Sequence, residues 1–498
     1  MSDASQGSGY ERLSGGKKLT LVDVISQSVG FMGPVFSIAF LIPLIAGLNA
    51  SGNGAGIATP FAVLLAAVGT FALGWIVAQY AKRVQAAGSL YDYVTSGFGP
   101  KVGGFGGWLY YGGTTVLASA IACLVGFFME AVIFTADPAV PGVISSESPL
   151  PAWGWSLIFV LAVLLIQYLG VQLSTRVQLT LALVSILAVT VFLIKVIIDA
   201  PTNSLRAFDP TEASDGWTGI LFAVMYGVLI YVGFETAANL AEETAEPKRS
   251  IPKAVLLTVL IATVFYLIAS YAQVAGFGFD EAVLTDPAVA AGPLFALASP
   301  TEVGGYGSTT ILNVIIIVVF LDVLAVGVGA AVASARGVFA LARDRRIPGA
   351  MATVSGRGTP IGAIVFVAAV SLVMVALAEL SDDLFATTPR GHHYFEMFLW
   401  LSTFGAFSIM VVYGLMALGS FRGLADHPNR VAVWVAGIIG TLIAVGAIYG
   451  AIADQLAPND VVWRAVLVWA ILGLLVTLIV KGREPASEAL ADLHSEDT

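Results

Sequence analysis

Long apolar runs separated by short polar stretches recur from one end of this chain to the other. An α-helix rises about 1.5 Å per residue, so roughly 20 apolar residues cross the ~30 Å hydrocarbon layer of a bilayer. Segments of that length are expected at about 20–47, 57–81, 101–134, 153–173, 174–199, 215–240, 251–277, 306–341, 359–380, 394–421, 429–453 and 460–481. The fourth and fifth are nearly continuous, and Gly170 with the stretch Gln172–Arg176 divides them. No region shows the ten-residue alternation of a membrane β-barrel. The pattern therefore predicts an all-α, polytopic membrane protein of about twelve transmembrane helices. One membrane domain is expected over 19–481. It is flanked by a disordered tail at 1–18 and an acidic tail at 482–498.

Composition agrees: 58% of residues are hydrophobic, 11% are charged, and the mean hydropathy is +0.89. Soluble domains carry about a quarter charged residues. The charges also orient the chain. With the N-terminus placed in the cytoplasm, all but four of the 23 Lys and Arg fall on the cytoplasmic side. The exceptions are Arg206, Arg390 and Arg464, expected outside, and Lys195 near the outer end of span five. Acids such as Asp137, Glu147, Asp209, Asp382 and Asp383 gather in the outer loops. Twelve spans with both termini cytoplasmic follow, in the cytoplasmic membrane. The first 16 residues lack the apolar core of a cleavable signal. The longest outer loop, about 278–305, has the composition of a short amphipathic helix across the outer mouth.

Several chemistries are excluded. A net charge of -10 gives no footprint for nucleic acid. The single cysteine, Cys123, lies in an apolar run and makes no internal disulfide. His392 and His393 are adjacent in an outer loop with no third metal ligand nearby, so they read as solvated loop. No nucleophile motif, phosphate loop or dinucleotide fingerprint is present. No enzyme and no cofactor are expected.

Two spans are interrupted. Span one reads Val24-Ile-Ser-Gln-Ser-Val-Gly30-Phe-Met-Gly33-Pro34, with proline and glycine half-way through. Proline removes an N–H and crowds the preceding turn, and glycine permits non-helical backbone. The stretch is either a simple kink or an unwound segment. Unwinding would present a helix N-terminus suited to a carboxylate. Span six carries Gly227, Gly233 and, inside the membrane, Glu235. Two interrupted helices in corresponding places are the sequence pointer to a mid-membrane transport site.

Four local patterns together resemble the amino acid–polyamine–organocation (APC) permeases. They are the glycine-rich first span, Tyr80-Ala-Lys-Arg83 through Gly88-Ser-Leu-Tyr91 to Gly99-Pro100, Gly233-Phe-Glu235 followed by Glu242-Glu243, Glu246-Pro247 and Ile251-Pro252, and Ser334-Ala-Arg336 through Arg343-Asp344 to Ile347-Pro348. The resemblance spans about residues 18–481. It implies a leucine-transporter-type fold, a 5+5 inverted repeat with helices one and six unwound. Repeat one would cover about 20–199 and repeat two about 215–421, with helices eleven and twelve, about 429–481, peripheral. It also implies that Gly30, Phe31, Met32 and Gly33 cradle a substrate carboxylate. Tyr231, Val232 and Gly233 would lend backbone from span six, Phe234 would cover the site, and Glu235 matches an acidic family position. The chain departs from the family's Gly-Ser/Thr-Gly-Ile-Phe pattern in span one. Ser185 stands where some proton-coupled members carry lysine.

Other polar residues carry competing readings. Asp322, mid-way along span eight, is a proton or cation relay or else a structural hydrogen-bond acceptor. Ser334 binds sodium with span-one carbonyls or else lets helices pack closely. Glu242, Glu243, Lys248 and Arg249 are a solvated charge run or an inner gate with Lys82, Arg83 or Arg343. Tyr110, Tyr111, Trp400 and Tyr413 line the cavity or serve as packing. The expected function is secondary active import of an amino acid or related amine by alternating access, coupled to H+ or Na+. The partners are then a small-molecule substrate and the bilayer. An organic-solute exchanger, an uncoupled facilitator and a transporter-like nutrient sensor are the rivals.

Overall fold

A computed structural model describes residues 18–48, 54–135, 143–286, 292–380, 393–453, 459–480 and 482, without the side chains of 171–178. Apart from Lys18 and Gly482, the terminal tails therefore lie outside the described residues, as do His392, Asp137, Asp382, Asp383 and Arg390. So does the middle of the 278–305 loop, at 287–291.

Among the described residues the chain is helical, with no β-strand, and twelve helices are long and apolar enough to cross a membrane. Spans one to six are Leu21–Ile45, Gly56–Ala81, Pro100–Ile133, Ala152–Leu169, Leu179–Asp199 and Gly216–Glu243. Spans seven to twelve are Pro247–Gly276, Thr309–Arg343, Ile361–Leu380, His393–Gly423, Arg430–Ala453 and Asn459–Ile479. Each overlaps one expected segment. The boundary between spans four and five falls at Gly170, where the backbone turns through φ 129° between Leu169 and Val171.

Local chemistry sets the ends. Thr20 caps span one, accepting from the Asp23 N–H while the Asp23 carboxylate accepts from the Thr20 N–H, so two otherwise orphaned donors are paired. Proline opens spans three and seven, where a missing N–H costs nothing. Ser308 caps span eight.

Burial sorts the spans into a centre and a rim. In the most apolar 18-residue stretch of each helix, 94% of residues are buried in span one and 83% in spans six and ten, against 22% in span twelve. Apolar helices that expose most of their surface need lipid around them, so spans four, five, nine, eleven and twelve form the rim. Span ten lies along span three, with Ser408 and the Gly405 carbonyl against Gly113. Span twelve is held to span three by Trp108 and Trp469, whose rings stack at 4.3 Å and which share an N–H to carbonyl bond of 3.1 Å.

Candidate functional site

The first helix of span one runs from Leu21 to Met32 and stops at Gly33, which adopts the left-handed conformation at φ 54°. A side chain there would also overlap Val326 of span eight, so both backbone and space require glycine. Pro34 then starts a second helical stretch, through a wide turn at Ser37–Leu41, that ends at Ile45. Span six runs as a helix from Gly216 to Leu229, turns, and passes Gly233 at φ 116°. It resumes as a tight 3-10 helix over Phe234–Glu243. A Cβ on Gly233 would lie 2.9 Å from the Met32 nitrogen, so the two breaks touch. Proline and glycine therefore mark real interruptions. The span-six break sits at Ile230–Gly233, later than Gly227, which stays helical against Ala66.

The two broken helices are stitched together beyond the breaks. The Ser28 hydroxyl donates to the Phe234 carbonyl at 2.9 Å and accepts from the Ala237 N–H at 3.1 Å. Leu19 donates its N–H to the Glu243 carbonyl and accepts from the Ala245 N–H, at 2.9 and 3.0 Å.

The N–H groups freed in span one are not those of the expected cradle. Gly30, Phe31 and Met32 lie in the last turn of an intact helix, and the Gly33 N–H bonds the Val29 carbonyl at 3.1 Å. Pro34 has no N–H. The next two, on Val35 and Phe36, both donate to Oδ2 of Asp322 at 2.8 Å. Asp322 is fully buried, and its Oδ1 has no hydrogen-bond partner among the described residues. Sequence reasoning singled out Asp322 but did not connect it to span one. No pattern in one chain shows that a span-eight residue lies opposite a span-one break.

An apolar cavity lies between the breaks, bounded by spans three, eight and ten. Phe31, Met32, Phe36, Val232, Val326 and Ser402 are among its walls. Of the expected residues, Phe31, Met32 and Val232 line it. Tyr231 points its hydroxyl to Thr263 at 3.1 Å, and Phe234 packs on Tyr413 with ring centroids 5.7 Å apart. Ser185 ties span five to span eight through the Val318 carbonyl at 2.6 Å. The Ser334 hydroxyl is buried with no partner among the described residues. Trp400 stacks on Phe404.

Glu235 is buried beneath the span-six break. Its Oε1 accepts from the Tyr110 hydroxyl at 2.5 Å and its Oε2 from the Gly233 N–H at 3.1 Å. Tyr110→Phe removes one donor from a buried carboxyl and is expected to cost about 1–3 kcal/mol of stability. Thermal unfolding in detergent measures it, and an unchanged midpoint would refute this bond.

Different chemistry ties the helices together on the two sides of the breaks. On one side the Glu242 carboxylate meets Arg343 at 3.0 Å and accepts from the Ala87 N–H at 2.9 Å. Glu243 meets Arg336 at 2.8 Å, both nearly inaccessible. Asn239 and Tyr111 complete the layer, sharing a bond of 2.8 Å. Of the expected basic partners only Arg343 joins. Lys82 reaches Gln79, Arg83 pairs with Asp426, Lys248 is exposed, and Arg249 meets Glu246 at the surface. Sequence reasoning missed Arg336. On the other side Phe40 of span one packs edge-on against Phe398 and Phe295, with centroids 6.2 and 6.5 Å apart. Phe295 belongs to the short helix Pro293–Ala298 of the long loop.

Comparison with known proteins agrees with this architecture. The chain is 25% identical over 360 residues to the branched-chain amino acid permease BcaP of Bacillus subtilis, covering 68% of this chain and 71% of that one. It is 26% identical over 446 residues to an uncharacterized transporter of Mycobacterium tuberculosis, covering 87% and 86%. A methylthioribose transporter of Bacillus subtilis is 23% identical over 310 residues, covering 61% and 63%. Residues 28–452 match the profile of the amino acid permease family. Broken paired helices, twelve spans and that match together make the chain a member of the amino acid permease family within the APC superfamily: a multi-pass membrane transporter and not an enzyme.

Proposed function

We propose that the protein imports an amino acid or related amine across the cytoplasmic membrane by alternating access, driven by a proton or sodium gradient, with both termini cytoplasmic. The observation that carries this reading is the apolar cavity between two touching helix breaks, with a layer of buried ion pairs on one side of the breaks and packed aromatic rings on the other. Such a site opens to one side only when one closing layer separates, which is what coupled transport requires. The aliphatic and aromatic walls suit a ligand with an apolar body. BcaP is named for branched-chain amino acids, whereas the methylthioribose transporter is named for a ligand of another class. Kinship therefore supports a small organic nutrient more firmly than one substrate.

Spans one to five and six to ten form the two inverted repeats in this reading, with spans eleven and twelve outside them. Glu235 and Asp322 are the candidate proton carriers, being buried carboxylates at the two breaks. Ser334, with nearby span-one carbonyls, is the candidate sodium position, and Ser185 braces span eight beside Asp322.

Uptake of labelled amino acids and amines into proteoliposomes tests the proposal. Accumulation above equilibrium under an imposed proton or sodium gradient is expected. Equilibration without accumulation would make the protein a facilitator, and no uptake across the panel would refute transport of this class.

A further inference from the structure

A helix break can receive a substrate carboxylate only if it has N–H groups to offer. Here it has none left. Pro34 lacks the group, Gly33 spends its own on Val29, and Val35 and Phe36 spend theirs on Asp322. The anion position is filled by a carboxyl group belonging to the protein, held by two N–H bonds of 2.8 Å. A substrate carboxylate brought there would be buried beside the Asp322 carboxyl with no donor free to compensate.

Asp322 and the two breaks still present acceptors. Asp322 Oδ1 is unpartnered and fully buried. The Tyr266 hydroxyl donates to the Ile230 carbonyl at the span-six break at 2.7 Å. The Ser37 hydroxyl donates to the Met32 carbonyl at the span-one break at 3.0 Å. No Lys, Arg or His among the described residues forms an ion pair with Asp322 at any distance up to 4.0 Å. Phe36, whose N–H holds the carboxylate, and Val326, one helical turn beyond it on span eight, both line the apolar cavity. A carboxyl group with a spare oxygen, bonded to one residue of the cavity wall and one helical turn from another, is complementary to an organic ammonium with an apolar body.

We infer that Asp322 is a built-in carboxylate that takes the place of the substrate's, so that the ligand is an organic cation carrying no carboxylate, its ammonium group facing Asp322 Oδ1. Specificity then follows from subtraction. An amino acid and its decarboxylated amine share the side chain and the ammonium, and differ only in the group that Asp322 excludes. The inference rests on the transport reading above and narrows its substrate.

Matched pairs test it: leucine with 3-methylbutylamine, phenylalanine with 2-phenylethylamine, arginine with agmatine, and ornithine with putrescine. Each is assayed by thermal stabilisation of the purified full chain and by uptake into proteoliposomes, with and without sodium. In at least one pair the amine is expected to bind about tenfold or more tightly than its amino acid, a difference of about 1.4 kcal/mol. Asp322→Asn, which keeps the shape and an accepting oxygen for Val35 and Phe36, is expected to weaken that amine about tenfold or more, measured against the variant's own unliganded melting temperature. The proposal is overturned if amino acids bind as well as their amines, if no amine stabilises the protein, or if Asp322→Asn binds the amine unchanged. It is also overturned if sodium alone gives the Asp322-dependent stabilisation, which would make this an ion site. Should Asp322→Asn fail to fold, the ligand pairs on the unaltered protein still decide. Gradient-driven uptake of amino acids without amine preference would sink this inference and leave the transport reading standing. Absence of all uptake would sink the transport reading itself.

Discussion

Glu243→Gln is expected to destabilise the folded protein by about 3–5 kcal/mol, the cost of leaving one member of a buried ion pair without its partner. The Arg336 side chain is 3% exposed and its partner carboxylate 8%. The guanidinium meets that carboxylate at 2.8 and 3.5 Å, so the amide keeps a contact but not the charge. Thermal unfolding in detergent measures the loss. Because the cost is that of an uncompensated charge, removing both charges should restore most of it. Glu243→Gln with Arg336→Met is therefore expected to melt higher than Glu243→Gln alone. A single variant that melts like the parent, or a double variant no better than the single, would mean that the pair is hydrated rather than buried.

Gly33→Leu is expected to abolish ligand binding and uptake, by about a hundredfold or more, while the protein still purifies as a folded species. One hundredfold corresponds to about 2.7 kcal/mol. A non-glycine residue in the left-handed region costs about 1–2 kcal/mol before any contact is made. The added side chain also meets Val326, which lines the cavity from span eight. The two costs can be separated. Gly33→Ala should be partly rescued by Val326→Ala, which clears the contact but not the backbone strain. Unchanged uptake by Gly33→Leu would show that the break is not part of the transport site.

The helices were legible because lipid imposes a simple rule. Leu179–Asp199 and Ile361–Leu380 are apolar all round and mostly exposed, so length alone declares them. The two breaks were legible because proline and paired glycines leave few alternatives, and Gly33 and Gly233 both hold positive φ. The contents of the breaks were not. Which N–H groups are freed depends on where the left-handed residue falls, and that was Gly33 rather than Gly30. What receives them depends on the register of span eight, some 290 residues later, and no periodicity in either helix encodes that register. The same limit explains the gate. Glu242 and Glu243 are neighbours in sequence, yet they reach Arg343 and Arg336, residues two helical turns apart on span eight. Arg336 stood inside a family-like pattern and among the cytoplasmic basic residues, and nothing in its sequence neighbourhood marked it as the partner of Glu243. Tyr110 was a candidate for the cavity wall on aromatic character, and its hydroxyl instead serves Glu235.

The clip at Leu19 and the contact at Gly233 also set a ruler. Two segments run side by side between the same pair of pins, Leu21–Met32 with 12 residues and Phe234–Glu243 with 10. An α-helix of the first length measures about 18 Å at 1.5 Å per residue. A 3-10 helix of the second measures about 20 Å at 2.0 Å per residue. The tighter winding of span six thus makes up for its missing residues, and the unusual helix type is a matter of matching lengths. A residue inserted between Leu19 and Gly33 would have to be absorbed by unwinding on the other side of the pair. The spacing between clip and break is accordingly as constrained as the identity of the glycines themselves.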